Sequence, residues 1–287
     1  MGDHYVPAFY LQGFAEPPDF RQIWVYKKGS EKPFKTNIVN IANENDFYPG
    51  ELETYLANKI EQPANGVIRR IKNRRALNRE EKLTLSNYMT VLWKRVPQHK
   101  QWIKRKSPQA IDSVLNQLEN QLISLQNTDP TKKEIVNKRM LEIRRLPEKK
   151  GQLIDEEFVR ENWAHTIPVD QTTSVPEALS QMTWLFWIAE NKEFFITSDN
   201  PIFYFSKIGI AQEYSEVSFP VTNTITLWAT WRSDFPDQKY VTADSQVIKE
   251  INRRTASISS EYLYSSIDEG WITRIGNKSS HKLNRIV

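Results

Sequence analysis

The 287-residue sequence contains no cysteine, which excludes disulfides, thiolate metal sites and cysteine nucleophiles together. Glycine is scarce as well. The nine glycines fall in neither of the two common phosphate-cradling patterns, the Walker-type loop and Gly-x-Gly-x-x-Gly. A His-Glu-x-x-His zinc helix and a nucleophile elbow are also missing. The most apolar stretch, Met182 to Ile188, is far too short to cross a bilayer. No charged segment leads into an apolar one at the start of the chain, so the expectation is a cytoplasmic protein with no membrane partner.

What is present is aromatic and unevenly charged. Nine Trp, eleven Tyr and thirteen Phe supply large rings for a core or for a binding surface. The net charge is only +4, yet between Val67 and Lys106 thirteen Lys or Arg face two acids, Glu80 and Glu81. The rest of the chain carries 26 basic and 33 acidic residues. Such a basic block suits an anionic partner, nucleic acid above all, and Arg69, Arg70, Lys72, Arg74 and Arg75 are its densest run. The alternative is a solvated helix face packed against the acidic remainder.

The pattern along the chain predicts an α+β fold in a single domain, 1–287. Residues 1–50 read as strands, 51–150 as an antiparallel helical region, and 151–287 as a mostly antiparallel sheet with one or two helices. Gln22–Tyr26 and Phe34–Ile41 flank turn residues Lys28–Glu31, which predicts a β-hairpin. From Glu51, apolar residues Leu52, Leu56, Ile60, Ala64, Val67 and Ile71 keep helical spacing, with a kink expected at Pro63 and Gly66. Asn78 is placed to cap a second helix carrying Leu85, Met89, Leu92 and Val96. Ile111, Leu115, Leu118, Leu122 and Leu125 predict a third, and a polar helix follows the break at Asp129-Pro130. Beyond Gly151, short helices are expected near 156–164 and 176–181. Trp184–Ile188 and Glu193–Thr197 read as a hairpin across Asn191-Lys192, followed by strands near 202–205, 217–219 and 224–230, a helix over 244–257 and a strand at 262–264.

Two short motifs stand out, His4-Tyr5-Val6-Pro7 and Thr197-Ser198-Asp199-Asn200-Pro201. The first continues as Ala8-Phe9-Tyr10-Leu11-Gln12-Gly13-Phe14. With Trp24-Val25-Tyr26, Asn45-Asp46-Phe47-Tyr48, Leu52-Glu53 with Glu61, Arg95-Val96-Pro97, Phe219-Pro220 and Asn252, the order and spacing resemble domain of unknown function family 4238 along essentially the whole chain. That resemblance implies membership and no activity.

The residues themselves suggest chemistry. The His4 imidazole titrates near neutrality and suits a general acid or base, or a metal ligand; the plainer role is a hydrogen bond to a neighbouring strand. Asp199 and Asn200 follow an apolar strand, where they could orient a water or a divalent metal, although Asx residues and proline are also ordinary turn formers. Glu61 could point into a cleft at the Pro63 break or pair with Arg95, whose guanidinium ends an apolar helix face and requires an anionic or carbonyl partner. Glu53, eight residues before Glu61, falls about 80° away on a regular helix. The expected set is therefore His4, Glu61, Arg95, Asp199 and Asn200 acting as a phosphodiester- or nucleotide-directed hydrolase of a nuclease-like, bacterial-defence kind. The alternatives are a non-catalytic nucleic-acid-binding module and a protein-interaction adaptor.

Overall fold

The structure, a computed structural model, describes residues 2–146, 154–168 and 174–286. The contacts divide these into two compact units, Met1–Pro97 with Ile167–Val287, and Gln98–Thr166. The first and last thirds of the chain thus share one body, with the divisions near 97 and 167. The change of pattern at Gly151 lies outside the described residues. The class is α+β, with an N-terminal strand pair, helices in the middle and a mostly antiparallel sheet towards the C-terminus.

The larger unit opens with β1 (Asp3–His4) and a short helix α1 (Ala8–Leu11). The expected hairpin follows as β2 (Gln22–Lys27) and β3 (Phe34–Asn37), antiparallel with Trp24 opposite Lys35. Gly29 takes the left-handed turn position at φ 80°. Strand β4 (Asn43–Glu44) returns to pair with β1, setting His4 opposite Asn43.

The helix expected from Glu51 forms and carries a π-helical irregularity just before Pro63. Helix α2 (Gly50–Tyr55) passes through a π-helical stretch, Leu56–Glu61, into α3 (Gln62–Lys72). Pro63 lies at the start of α3, just after the π-helical stretch. Helix α4 (Arg79–Lys94) starts at Asn78 with a reciprocal capping box: Glu81 N–H donates to Asn78 Oδ1 at 2.9 Å, and Asn78 N–H to Glu81 Oε2 at 2.9 Å.

The smaller unit holds α5 (Pro97–Thr128), α6 (Lys133–Arg145) and α7 (Glu156–Thr166). Asp129 caps the turn between the first two, and Arg144–Glu119 and Gln126–Asn137 contacts hold them as the expected antiparallel helical hairpin. Of the apolar face expected on α5, Leu115 is buried while Leu118 and Leu125 remain exposed.

Back in the larger unit, α8 (Val175–Gln181) leads into β5 (Thr183–Ile188), then β6 (Thr197–Ser198), β7 (Phe203–Tyr204), β8 (Glu216–Pro220), β9 (Ile225–Thr230) and β10 (Lys239–Thr242). Helix α9 (Ser245–Ile258), β11 (Tyr262–Ser265) and α10 (Gly270–Gly276) complete it. A five-stranded sheet runs β10-β5-β9-β8-β7, parallel only at β10–β5, and a four-stranded antiparallel sheet runs β3-β2-β11-β6. The hairpin expected across Asn191-Lys192 is therefore corrected. The turn is real, with φ 54° and 68° at those residues, but β5 pairs with β9 while Thr197-Ser198 joins the other sheet against β11. The side chain of Asn252 supplies the missing partners of the intervening backbone: Ile196 N–H donates to its Oδ1 and its Nδ2 to Phe194 O, both at 3.0 Å.

Helix α9 lies between two apolar clusters. Ile248 and Ile251 pack with Ala189, Phe195 and Ala243, whereas Ala256 packs with Tyr26, Ile196, Leu263 and Ile272. On the far side of the five-stranded sheet, Lys82 of α4 buries its ammonium over the Trp184 ring, 4.9 Å from the centroid, donating to Met182 O and Asp237.

Candidate functional site

The first motif and α1 pack directly beside the strand that carries the second. The Tyr10 ring stacks on Phe219 at 5.3 Å, and its hydroxyl lies 2.7 Å from both Thr197 Oγ1 and Pro220 O. Burial and then the nearby Asp199 raise the Tyr5 hydroxyl, and burial, Tyr5 and Asp199 raise that of Tyr264. The two motifs therefore adjoin, yet their titratable groups serve different partners.

His4, Glu61 and Arg95 come together. Arg95 follows α4 and is fully buried. Its Nη1 donates to Glu61 Oε1 at 2.6 Å, its Nε to the Tyr48 hydroxyl at 3.2 Å, and its Nη2 to the backbone carbonyl of His4. Asp3 Oδ2 accepts the Tyr48 N–H at 3.1 Å, fastening the 43–49 loop to β1. Burial disfavours the Arg95 charge, but Tyr48, Glu61 and Tyr88 more than offset it, so the guanidinium stays a fixed cation.

Glu53 is part of the same cluster, a residue the helical spacing had set aside. A π-turn takes in one extra residue, so eight residues turn the chain by about seven residues' worth, roughly 700°, and the two carboxylates return to within about 20° of one face. Glu53 and Glu61 then repel each other, while Arg95 attracts both. Burial and Glu61 together raise the Glu53 carboxyl above its ordinary value, against the pull of Arg95.

Among the described residues, three buried polar atoms near Arg95 have no hydrogen-bond partner: His4 Nε2, Glu53 Oε2 and the Tyr88 hydroxyl. Burial and then Arg95 push the His4 imidazole below its usual range, partly offset by Glu61 and by a hydrogen bond to the Val39 backbone. His4, Glu53 and Glu61 are half-buried, while Arg95, Tyr48 and Tyr88 are buried. A buried cation thus adjoins a neutral imidazole and a carboxyl that retains its proton more readily than usual. This pairing suits acid–base chemistry.

Asp199 is used differently. Its carboxylate accepts the backbone N–H groups of Ser260 at 2.8 Å, Glu261 at 2.6 Å and Tyr262 at 3.0 Å, closing the turn from α9 into β11. Burial pushes the carboxyl up to about 6 even against these three donors and Lys28. Asn200 donates from Nδ2 to Ile258 O at 3.2 Å, and the Ser198 hydroxyl bridges the Asn200 backbone. The local turn contacts of the motif are made by Ser198, while the side chains of Asp199 and Asn200 reach the distant α9–β11 connection rather than Arg95. Among the described residues, no group of three or more His, Asp or Glu is placed to hold a metal ion.

The basic run lies at the end of α3. Arg74 adopts the left-handed conformation at φ 52°. Arg74 N–H donates to Ile71 O at 2.9 Å and Arg75 N–H to Arg70 O at 3.0 Å, the Schellman pattern that glycine normally ends. Arg70 is paired with Glu81 at 3.0 Å, whereas Arg69, Lys72, Arg74 and Arg75 are exposed and form no ion pair among the described residues. Elsewhere in the basic block, Lys82, Arg95 and Lys104 are matched by Asp237, Glu61 and Glu156.

Residues 3–269 match the family described as Protein of unknown function (DUF4238). The chain belongs to that family. No curated protein and no solved structure matches it. His4, Glu53, Glu61, Arg95, Asp199 and Asn200 all fall inside the matched stretch, so the DUF4238 region contains the whole cluster around Arg95 and the α9–β11 turn. No helix among the described residues is long and apolar enough to cross a membrane.

Proposed function

We propose that this DUF4238 chain is a hydrolase of phosphodiester or nucleotide substrates that works by acid–base catalysis at His4 and Glu53. The observation that carries the reading is the set of three buried polar atoms around the Arg95–Glu61 pair that have no partner among the described residues. Leaving a buried polar atom unsatisfied costs about 1–3 kcal/mol, so a native fold keeps several together where a ligand or water completes them. His4, neutral near pH 7, is the base that takes a proton from the attacking water. Glu53, whose proton is held by burial and by Glu61, is the acid that protonates the leaving oxygen. Arg95 and Glu61 are positioning residues: three of the five guanidinium N–H groups already point at Glu61, His4 and Tyr48. Asp199 and Asn200 support the site through the fold.

The test is hydrolysis of a panel of single-stranded and double-stranded oligonucleotides and nucleoside triphosphates by the intact protein and by His4→Gln and Glu53→Gln. Loss of about 10²–10⁴-fold in kcat for both variants, with unchanged melting temperature, is expected. Turnover of nothing in the panel, or equal turnover by the variants, would overturn the reading.

A second reading rests on one observation, the uncompensated exposed cations Arg69, Lys72, Arg74 and Arg75 at the end of α3. A nucleic-acid backbone laid across them accounts for an arginine at a position where glycine is unstrained. This reading stands without catalysis, and the salt dependence described in the Discussion tests it.

A further inference from the structure

Away from Arg95, helix α9 and residues 278–284 enclose a cavity of about 260 Å³ lined by Arg253, Lys278, Ser280, His281, Lys282 and Asn284. Among the described residues, three permanent cations line it and no carboxylate does. Lys278 and Lys282 are exposed and form no ion pair among the described residues. Arg253 has one partner, Glu250 at 3.4 Å, and that carboxylate also faces Arg254 and accepts the Asn284 N–H. The His281 Nε2 is buried without a hydrogen-bond partner among the described residues. Burial, Lys28, Lys278 and Arg253 together hold its imidazole below the usual range. Packing like charges around an unsatisfied nitrogen is unfavourable unless an anion completes the arrangement.

Arg253 and Lys278 also line an adjoining cavity of about 370 Å³, which is walled by Phe194, Ile248, Trp271 and Ile275. Small-molecule pockets of about 300–1,000 Å³ have this make-up, an apolar wall with a few charged groups at one edge. Trp271 is half-exposed and sits 5.6 Å from Phe194, leaving ring surface on the cavity side. Lys192, Lys249, Glu193 and Glu269 complete the wall. Lys192 and Lys249 match the two carboxylates there, and the apolar wall of Phe194, Ile248, Trp271 and Ile275 suits a neutral ring.

We propose that the two cavities form one site for a monophosphorylated small molecule bearing a flat ring. The phosphate is held by Arg253, Lys278, His281 and Lys282, and the ring lies against Trp271. Lys278, His281 and Lys282 lie beyond the residues matched to the family, and the site does not depend on the reading of His4.

Calorimetric titration of the full chain with inorganic phosphate, adenosine and AMP tests it. AMP should bind at least about tenfold more tightly than either fragment. Lys278→Ala/Lys282→Ala, at two exposed side chains, should keep the parent's melting temperature and weaken both AMP and phosphate by about tenfold or more. Trp271→Leu should reduce AMP to the affinity of phosphate. In histidine-selective NMR, saturating phosphate should raise the His281 titration midpoint. Three results would each overturn the proposal: no binding of AMP, AMP binding no tighter than phosphate, or parent-like affinity in the double lysine variant.

Discussion

Replacing Glu61 with glutamine probes the cluster around Arg95 most sharply. The substitution keeps the side chain's size and removes its charge, leaving a guanidinium with no solvent exposure and no anion in contact. Breaking a buried ion pair from one side costs about 3–5 kcal/mol. Glu61 itself is 19 % exposed, so water can reach the vacated position and the expected loss falls to about 2–3 kcal/mol. Urea unfolding monitored by tryptophan fluorescence measures this as a lower midpoint at unchanged slope. Glu61→Gln/Arg95→Met removes both charges, and the cycle should return a coupling energy of about 2 kcal/mol. Two titrations should move as well. Glu61 raises both His4 and Glu53, so the variant should titrate both groups lower. A Glu61→Gln protein within about 0.5 kcal/mol of the parent, with both titrations unmoved, would refute the coupled cluster.

Other outcomes follow from single contacts. Folding depresses the His4 pKa below its ordinary 6.5, so the unfolded chain binds more protons at mildly acid pH. Stability should therefore fall as pH drops from 6.5 towards the folded value, and His4→Gln should remove that part of the slope. Asp199→Ala orphans three backbone N–H groups and should cost about 3 kcal/mol or more in urea unfolding, with Asp199→Asn, which keeps one acceptor, costing roughly half as much. Because burial holds the Asp199 carboxyl up to about 6, the folded state keeps that proton longer than the unfolded chain. Its contribution to stability is largest in acid and declines as pH rises through that value, and Asp199→Asn should flatten the decline. Arg74→Gly relieves a left-handed arginine and should raise stability by about 1 kcal/mol, seen as a melting temperature a few degrees higher. If the α3 cations hold duplex DNA, each of Arg69, Lys72, Arg74 and Arg75 changed to alanine should lower the slope of log K against log salt by about 0.9. Binding without salt dependence would remove that reading.

Much of the fold was legible because its signals are local. Asn78 and Glu81 announce a helix start three residues apart, and alternation with Gly29 marks the β2–β3 hairpin. What was hidden depended on distant partners. Trp184–Ile188 and Phe194–Thr197 look like a hairpin because both are apolar and a turn joins them. The chain instead passes to another sheet, and Asn252, more than fifty residues later, satisfies the backbone between. Glu53 was obscured by a π-turn, which no regular periodicity reveals and which brings it onto the face of Glu61. The Arg95–Glu61 pair was foreseeable from charge complementarity. That the same guanidinium would hold the His4 carbonyl was not, since a backbone acceptor leaves no mark in residue identity. Asp199 reads locally as a turn former, but its carboxylate accepts from donors about sixty residues downstream, which the motif does not show.

The most direct measurement is the pH dependence of kcat/KM for hydrolysis of whichever panel substrate turns over fastest. A base that acts when neutral and whose pKa is lowered by burial, paired with an acid that acts when protonated and whose pKa is raised by burial, gives a bell whose acid limb belongs to His4 and whose alkaline limb belongs to Glu53. His4→Gln should erase the acid limb and Glu53→Gln the alkaline limb. A rate that keeps climbing above neutrality, or a bell that survives in both variants, would contradict acid–base catalysis at this site.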